Sequence, residues 1–233
     1  MIEIKNLKSG YGKIEVLHKV DLKIADEEIT TIIGPNGSGK STIIKSICGI
    51  ADIFSGSIFL DKKNIILMSP SKLINLGIAY IPQGKNTFDE LTVLENLELG
   101  GEFLNNKELL KTRIEEIFKR YPILEKRKNK LAYGLSGGEK QMLAFGRALI
   151  QRPKLIILDE PSIGLSPILQ KDLFKTIKEL KEKGISILMV EQNAKKAIEI
   201  SDKVYLLENG EISLHGNKNI IKNKKIRETY LGG

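Results

Sequence analysis

A single cysteine, Cys48, leaves this 233-residue chain unable to form an internal disulfide; that agrees with a reducing compartment, and the thiol reads as packing. Long apolar runs are also missing. The longest, such as 185–190, are strand-sized and far below the ~20 residues that span a bilayer, so no membrane-crossing segment is expected. The N-terminus opens on alternating Ile2, Glu3 and Ile4 with no basic region followed by an apolar one, so we expect no secretory leader and a cytoplasmic location. Aromatic residues make up only 6% of the chain and do not accompany the lysines. The formal charge of +8 suits phosphate or an anionic surface, yet the lysines are interleaved with acids, as over 175–183, and lack partners for base stacking. A nucleic-acid partner is not expected.

What remains is an ordinary composition, 41% apolar, in a chain long enough for one large domain, or a main lobe with a smaller helical lobe set into it. Strand-like alternation over 2–7 and 16–24 leads to an apolar run at 29–33 that ends in a glycine-rich segment. A helix is predicted over 40–50, with Ile43, Ile44, Ile47 and Ile50 at helical spacing. Gly49 and Gly56 read as the exit toward a hairpin over 57–65, and a short strand over 77–81 ends at Pro82. The middle third differs: Thr92 and Glu95 make a capping box, and 107–120 reads as a charged amphipathic helix, which suggests an inserted helical lobe. After Leu135, helix (137–151), buried strand (155–158), helix (167–183), strand (185–190) and helix (194–200) alternate, which predicts a parallel sheet. A hairpin over 204–214, turning at Asn209-Gly210, and a basic helical tail close the chain.

Gly34-Pro35-Asn36-Gly37-Ser38-Gly39-Lys40-Ser41-Thr42 sets glycine, four residues, then glycine, lysine and serine between a strand and a helix. Backbone N–H groups at such a helix start cradle phosphates, and the glycines let the backbone close around the anion. Lys40 is expected on the β- and γ-phosphates, with Ser41 in a magnesium shell. A flexible glycine turn needs neither that strand nor that helix.

Leu135-Ser136-Gly137-Gly138-Glu139 is a second helix start, with Ser136 as cap and Glu139 completing a capping box. Capping explains Ser136 and Glu139 but not two glycines that weaken a first turn, so Gly137 and Gly138 read as a second anion site that something approaches closely. The run Leu155-Ile156-Ile157-Leu158 delivers Asp159-Glu160 at its C-terminal end, where open parallel sheets place their ligands. Asp159 suits a magnesium ion held through water, and Glu160 suits the attacking water. A merely solvated acidic pair does not need four apolar residues before it.

In order and separation, segments 34–42, 135–141 and 155–160 resemble the Walker A, signature and Walker B motifs of ABC-type ATPases. The resemblance implies an α/β fold: a P-loop NTPase core with an antiparallel β subdomain and an inserted α-helical subdomain at about 84–135, in one domain spanning 1–233. It implies ATP and Mg2+ as ligands. It further implies that Tyr11 stacks on adenine with Val16 nearby, and that Gln83 binds magnesium and senses the transport partner. Two positions depart from the common pattern. Ser166 stands where aspartate is frequent, yet Ser166-Pro167 still supplies a good N-cap and first helical residue. Gln192 stands at the switch position where histidine is frequent; it can donate an amide N–H to a γ-phosphate but cannot carry positive charge.

Val190-Glu191-Gln192-Asn193, Gly164-Leu165-Ser166-Pro167, Gly100-Gly101 after the helix beginning at Thr92, and the ending Tyr230-Leu231-Gly232-Gly233 together resemble one of the two ATPase subunits of branched-chain amino-acid importers. That branch implies a head-to-tail dimer with a sister ATPase and two transmembrane permeases docked near 84–101. It also implies a substrate-binding protein and a peripheral place on the cytoplasmic face of the membrane. Pro82-Gln83-Gly84, where that subunit often has glutamate, also suits the related urea importers. An ATPase of DNA repair or chromosome structure needs a long coiled coil, and the roughly 95 residues between Lys40 and Ser136 lack sustained heptads. A module that binds nucleotide without hydrolysing it has no need of the Asp159-Glu160 pair.

Overall fold

The computed structural model describes residues 1–84 and 87–230, the last two by backbone alone. Positions 85 and 86 of the expected permease-facing segment, and the ending Leu231-Gly232-Gly233, lie outside the described residues.

β1 (Ile2–Tyr11) and β2 (Ile14–Ile24) pair antiparallel, Ile2 opposite Ile24. Both outrun their clean alternation because both bulge: in β1 Asn6 takes φ 48° and its N–H donates to Asp21 Oδ1 at 3.0 Å, in β2 Lys19 takes φ 56°, and the register shifts on both sides of Leu7. β3 (Ile29–Ile33) enters the glycine-rich loop and α1 (Lys40–Ile47) leaves it. α1 ends three residues before the predicted boundary, with Cys48 as its C-cap and Gly49 at φ 69° behind it. β4 (Asp52–Leu60) pairs with β1 and with the short β5 (Lys63–Asn64). Gly56 is therefore not an exit marker. It lies inside β4 at φ 93°, where a Cβ would stand 2.5 Å from the Asn6 carbonyl oxygen, so the bulge in β1 demands glycine there. The four-stranded sheet β2-β1-β4-β5 packs Ile4, Leu17, Leu22 and Ile58 into one core with Ile43, Ile44 and Ile47 of α1.

α2 (Pro70–Asn75), absent from the sequence reading, starts on Ser69-Pro70 and buries Leu73 before β6 (Ile78–Ile81). α3 (Val93–Gly100), α4 (Lys107–Arg120), α5 (Pro122–Lys126) and α6 (Gly137–Leu149) bury Val93, Leu97, Ile114, Phe118, Leu124 and Leu143 against one another. A Cβ at Gly146 would stand 2.8 Å from Ile117 Cγ2, so α6 lies tight against this group. Its other face sends Ala144 and Phe145 onto Ile156 and Leu158, which ties the helices to the main sheet.

That sheet adds β7 (Leu155–Asp159), then α7 (Pro167–Glu182), β8 (Ser186–Glu191), α8 (Ala194–Ile200), β9 (Lys203–Glu208) and β10 (Glu211–Gly216), with α9 (Lys224–Tyr230) last. The order is β10-β9-β3-β8-β7-β6, parallel from β9 to β6 with β10 antiparallel at the edge. β3, β7 and β8 are buried at every position, as strands covered on both faces must be. In register, Ile33 meets Glu191, Asp159 meets Val190 and Ile81 meets Leu158, so the chain segments leaving these strands emerge side by side at one sheet edge. The basic tail is anchored by Ile220 and Ile226, which join Val204 and Leu206 in a smaller core. Among the described residues no helix is long and apolar enough to cross a membrane.

Candidate functional site

The loop 34–39 curls where β3 ends. Gly37 at φ 79° and Gly39 at φ 102° hold backbone conformations that side chains resist. A Cβ on Gly39 would also stand 2.7 Å from Leu17 Cδ2 and 3.3 Å from Val16 Cγ1, so the hairpin of β1 and β2 lies against the loop and brings Val16 to it. α1 has no side-chain cap and no acid in its first turn, which leaves its N-terminal N–H groups for an anion. Ser38 Oγ is buried without a hydrogen-bond partner inside the curl, a hydroxyl waiting for an oxygen ligand. Lys40 is 5% exposed and folds its Nζ back onto the carbonyl oxygens of Gly34 and Pro35, each at 3.0 Å. Burial lowers its pKa, and the charges of Glu160 and Asp159 oppose that shift. Tyr11 ends β1 half-exposed, its hydroxyl 3.5 Å from Thr42 Oγ1 and its ring 5.6 Å from Lys45 Nζ.

β7 delivers the carboxylates to the same place. Asp159 Oδ1 accepts from Ser41 Oγ at 3.0 Å, and Oδ2 accepts from the Tyr80 hydroxyl at 3.2 Å. Glu160 Oε1 lies 4.0 Å from Lys40 Nζ, and Oε2 accepts from Gln83 Nε2 at 3.0 Å. Glu160 takes φ 47°, a left-handed conformation worth about 1–3 kcal/mol of strain in a non-glycine residue, as is common at functional sites. Its N–H donates to the Val190 carbonyl at 3.0 Å, one ladder step past the end of β7. The donor set of Ser41 and Asp159, hard oxygens with a 3.0 Å separation now closed by a hydrogen bond, fits a magnesium ion, and the orphaned Ser38 hydroxyl beside Lys40 fits a phosphate.

Gln192 is exposed just past β8, and its carbonyl accepts the Ala194 N–H at 2.8 Å. Ser166 caps α7 through the Leu169 N–H at 3.4 Å with Pro167 next, as expected from its sequence. Ser136 and Glu139 form the reciprocal capping box. The two glycines behave differently. A Cβ on Gly138 would stand 2.7 Å from Leu169 Cδ2, so the close approach there is by α7 of the same chain; Gly137 is exposed and has nothing nearer than Leu165 Cδ2 at 4.0 Å. No hydrogen bond or ion pair joins Ser136, Gly137 or Gly138 to the loop 34–42 among the described residues. Thus Lys40, Ser41, Gln83, Asp159 and Glu160 assemble within one chain, whereas the second glycine-bearing helix start, at Ser136, stands apart from the loop. Gly137 and Glu160 do line a common cavity of 210 Å³ with Gly84, Thr87 and Leu165, and Lys40 and Ser41 lie outside it.

Three participants escaped the sequence reading. Tyr80 was only a strand residue there, yet it bonds Asp159 and also lines a 290 Å³ groove with Ile78, Phe88, Leu99, Phe103 and Arg147. Burial, ahead of the Asp159 charge, raises its phenol pKa above the usual range. Glu191 and Ser162 pair in the interior behind Glu160. A signal for Glu191 existed: a carboxylate ending a fully buried strand must find donors.

Residues 17–163 match the family described as ABC transporter. The chain is 40% identical, over the full length of both proteins, to the high-affinity branched-chain amino acid transport ATP-binding protein BraG of Pseudomonas aeruginosa. Its fold superposes with a TM-score of 0.88, at 31% identity and covering 100% of this chain and 99% of the other, on an ATP-binding cassette of an ABC transporter solved in its ADP conformation. A dimeric post-hydrolysis cassette bound to ADP and Pi gives a TM-score of 0.80 at 27% identity, covering 94% of this chain and 99% of that one.

Proposed function

The chain belongs to the ABC transporter family, and from that premise we propose that it is the ATP-hydrolysing subunit of an importer of branched-chain amino acids. The observation that carries the ATPase reading is the meeting of α1 and β7: Lys40 reaches within 4.0 Å of Glu160 while Ser41 bonds Asp159. The substrate class rests on the full-length 40% identity to a branched-chain amino-acid transport protein.

In this reading Lys40 leaves the carbonyls of Gly34 and Pro35 for the β- and γ-phosphates of ATP, and the N–H groups of 34–42 close around them. Tyr11 and Val16 border the adenine. Ser41, Asp159 and Gln83 would hold a magnesium ion, which would supply charge neutralisation to the transferring phosphoryl group. Glu160 turns from Gln83 to the attacking water, orienting it and taking its proton, and Gln192 donates its amide N–H to the γ-phosphate. Because Ser136, Gly137 and Gly138 stand apart from the loop, a second ATPase subunit placed head to tail supplies that half of the site; the dimeric ADP and Pi cassette of the same fold supports this. We read the partner as a sister ATPase and the chain as one domain with a helical insertion at about 84–135. The apolar groove at Phe88 takes a permease segment, placing the subunit peripherally on the cytoplasmic face, with a binding protein beyond.

The test is ATP hydrolysis by the complete complex in lipid vesicles loaded with the binding protein. Leucine, isoleucine or valine should stimulate turnover and urea should not; stimulation by urea alone would move the chain to the related amide importers, and an unresponsive complex would remove the transport reading.

A further inference from the structure

Glu191 ends β8 with 1% of its surface exposed, a position where a charge must be matched by donors. Its Oε1 accepts the Ser162 N–H at 2.9 Å and its Oε2 accepts the Ser162 hydroxyl at 2.9 Å. Burial raises the pKa of this carboxyl, while the Ser162 donors and the backbone amides of Asn193 and Gln192 work against the shift.

The placement matters more than the bonds alone. Ser162 follows Glu160 by two residues, and Gln192 follows Glu191 by one. β7 and β8 run parallel with Asp159 opposite Val190, and the backbone ladder makes its last step from Glu160 N–H to Val190 O. Beyond it no backbone hydrogen bond joins the two segments among the described residues, and the Glu191 side chain carries the connection one step further. A pair of apolar residues could fill this space at least as stably, so a buried polar pair here is a device for geometry rather than for stability. Gln170 continues the link outward: its Nε2 donates to the Ser162 carbonyl at 3.4 Å, and its Oε1 accepts from Asn193 Nδ2 at 3.5 Å.

We propose that Glu191 and Ser162 form a clamp that fixes the spacing between Glu160 and Gln192, so that both reach the same γ-phosphate and attacking water. Glu191 is a positioning residue, since it touches neither. The inference rests on the assignment of Glu160 to the hydrolytic step.

The experiment measures kcat and KM for ATP in the assembled transporter, with nucleotide affinity and melting temperature in parallel, for Glu191→Ala, Glu191→Gln, Ser162→Ala, Ser162→Thr and the double alanine variant. Loss of the clamp should lower kcat about 10-fold or more, as small misplacements of reacting groups do, with KM within about 2-fold of the parent. The double variant should be no slower than Glu191→Ala, because without Glu191 the Ser162 hydroxyl has no clamp bond left to lose. Glu191→Gln, whose amide can still accept from the Ser162 N–H and donate to its hydroxyl, and Ser162→Thr, which keeps the hydroxyl, should recover most of the rate. Ser162→Ala keeps the backbone bond to Glu191, so it tests the clamp even if Glu191→Ala fails to fold. Parental kcat in Ser162→Ala, or kcat, affinity and melting temperature falling together in every variant, would overturn the clamp. Failure of the ATPase assignment looks different: the parent complex, or its Glu160→Gln control, would then give the wrong result before any clamp variant is compared.

Discussion

The Tyr80 hydroxyl donates to Asp159 Oδ2 at 3.2 Å while the same side chain lines the groove that holds Phe88. One residue therefore touches both the carboxylate proposed to hold magnesium and the surface proposed for the permease. Tyr80→Phe removes a single hydrogen bond to a charged acceptor and leaves Asp159 to Ser41. We expect the magnesium concentration for half-maximal turnover to rise roughly 10-fold, the scale seen when partners behind a metal ligand are lost. Manganese binding followed by electron paramagnetic resonance should weaken in parallel; unchanged binding would show that Ser41 alone orients Asp159.

Gly137 and Gly138 separate stability from function. A methyl on Gly137 would meet only Leu165 Cδ2, in ordinary van der Waals contact at 4.0 Å, so Gly137→Ala should stabilise the isolated subunit by up to about 0.5–1 kcal/mol, or roughly 1–4 °C in melting temperature. In the head-to-tail dimer proposed above the same methyl would face the partner subunit's nucleotide, and turnover should fall. Gly138→Ala should destabilise, because its methyl meets Leu169 Cδ2 at 2.7 Å. Thermal melts beside turnover assays check both.

Glu191 gives a pH signature. Its folded pKa is raised from the ordinary 4.5, so the folded state holds the proton more tightly than the unfolded chain. Its contribution is most favourable below the unfolded value and is lost as pH rises through the folded one. Glu191→Gln cannot lose that proton. Its melting temperature relative to the parent should therefore increase as pH climbs from 4 through the window above 4.5. A difference independent of pH would mean that the carboxyl titrates as an exposed one does.

Phe88 is 52% exposed in the groove, with the Arg147 guanidinium 4.8 Å from its ring centre. Phe88→Ala should leave ATP affinity unaltered in the isolated subunit and reduce substrate-stimulated hydrolysis in the complex. Intact transport would place the permease elsewhere.

How far the chain could be read in advance follows the range of each interaction. The strand 29–33, the glycine loop and α1 are local, set by one apolar run and one glycine pattern, and only the end of α1 departs from that pattern. The capping boxes at Thr92 and Ser136 are likewise three-residue events and were legible. β1 was cut short because the left-handed Asn6 breaks the alternation by which a strand is recognised, and Gly56 was misplaced because its cause lies fifty residues away in that bulge. α2 carried a Ser-Pro start but too few residues for a periodic face. The pairs Tyr80–Asp159 and Ser162–Glu191 required knowing that β6, β7 and β8 are neighbours, and strand order is not a local property.

In the proposed mechanism Glu160 acts on water at a phosphate held by Lys40. The direct measurement is turnover and ATP affinity of Glu160→Gln in the assembled complex. Turnover should fall by about 10² to 10⁴, the span of a general base, with ATP affinity retained. Turnover near that of the parent would contradict it.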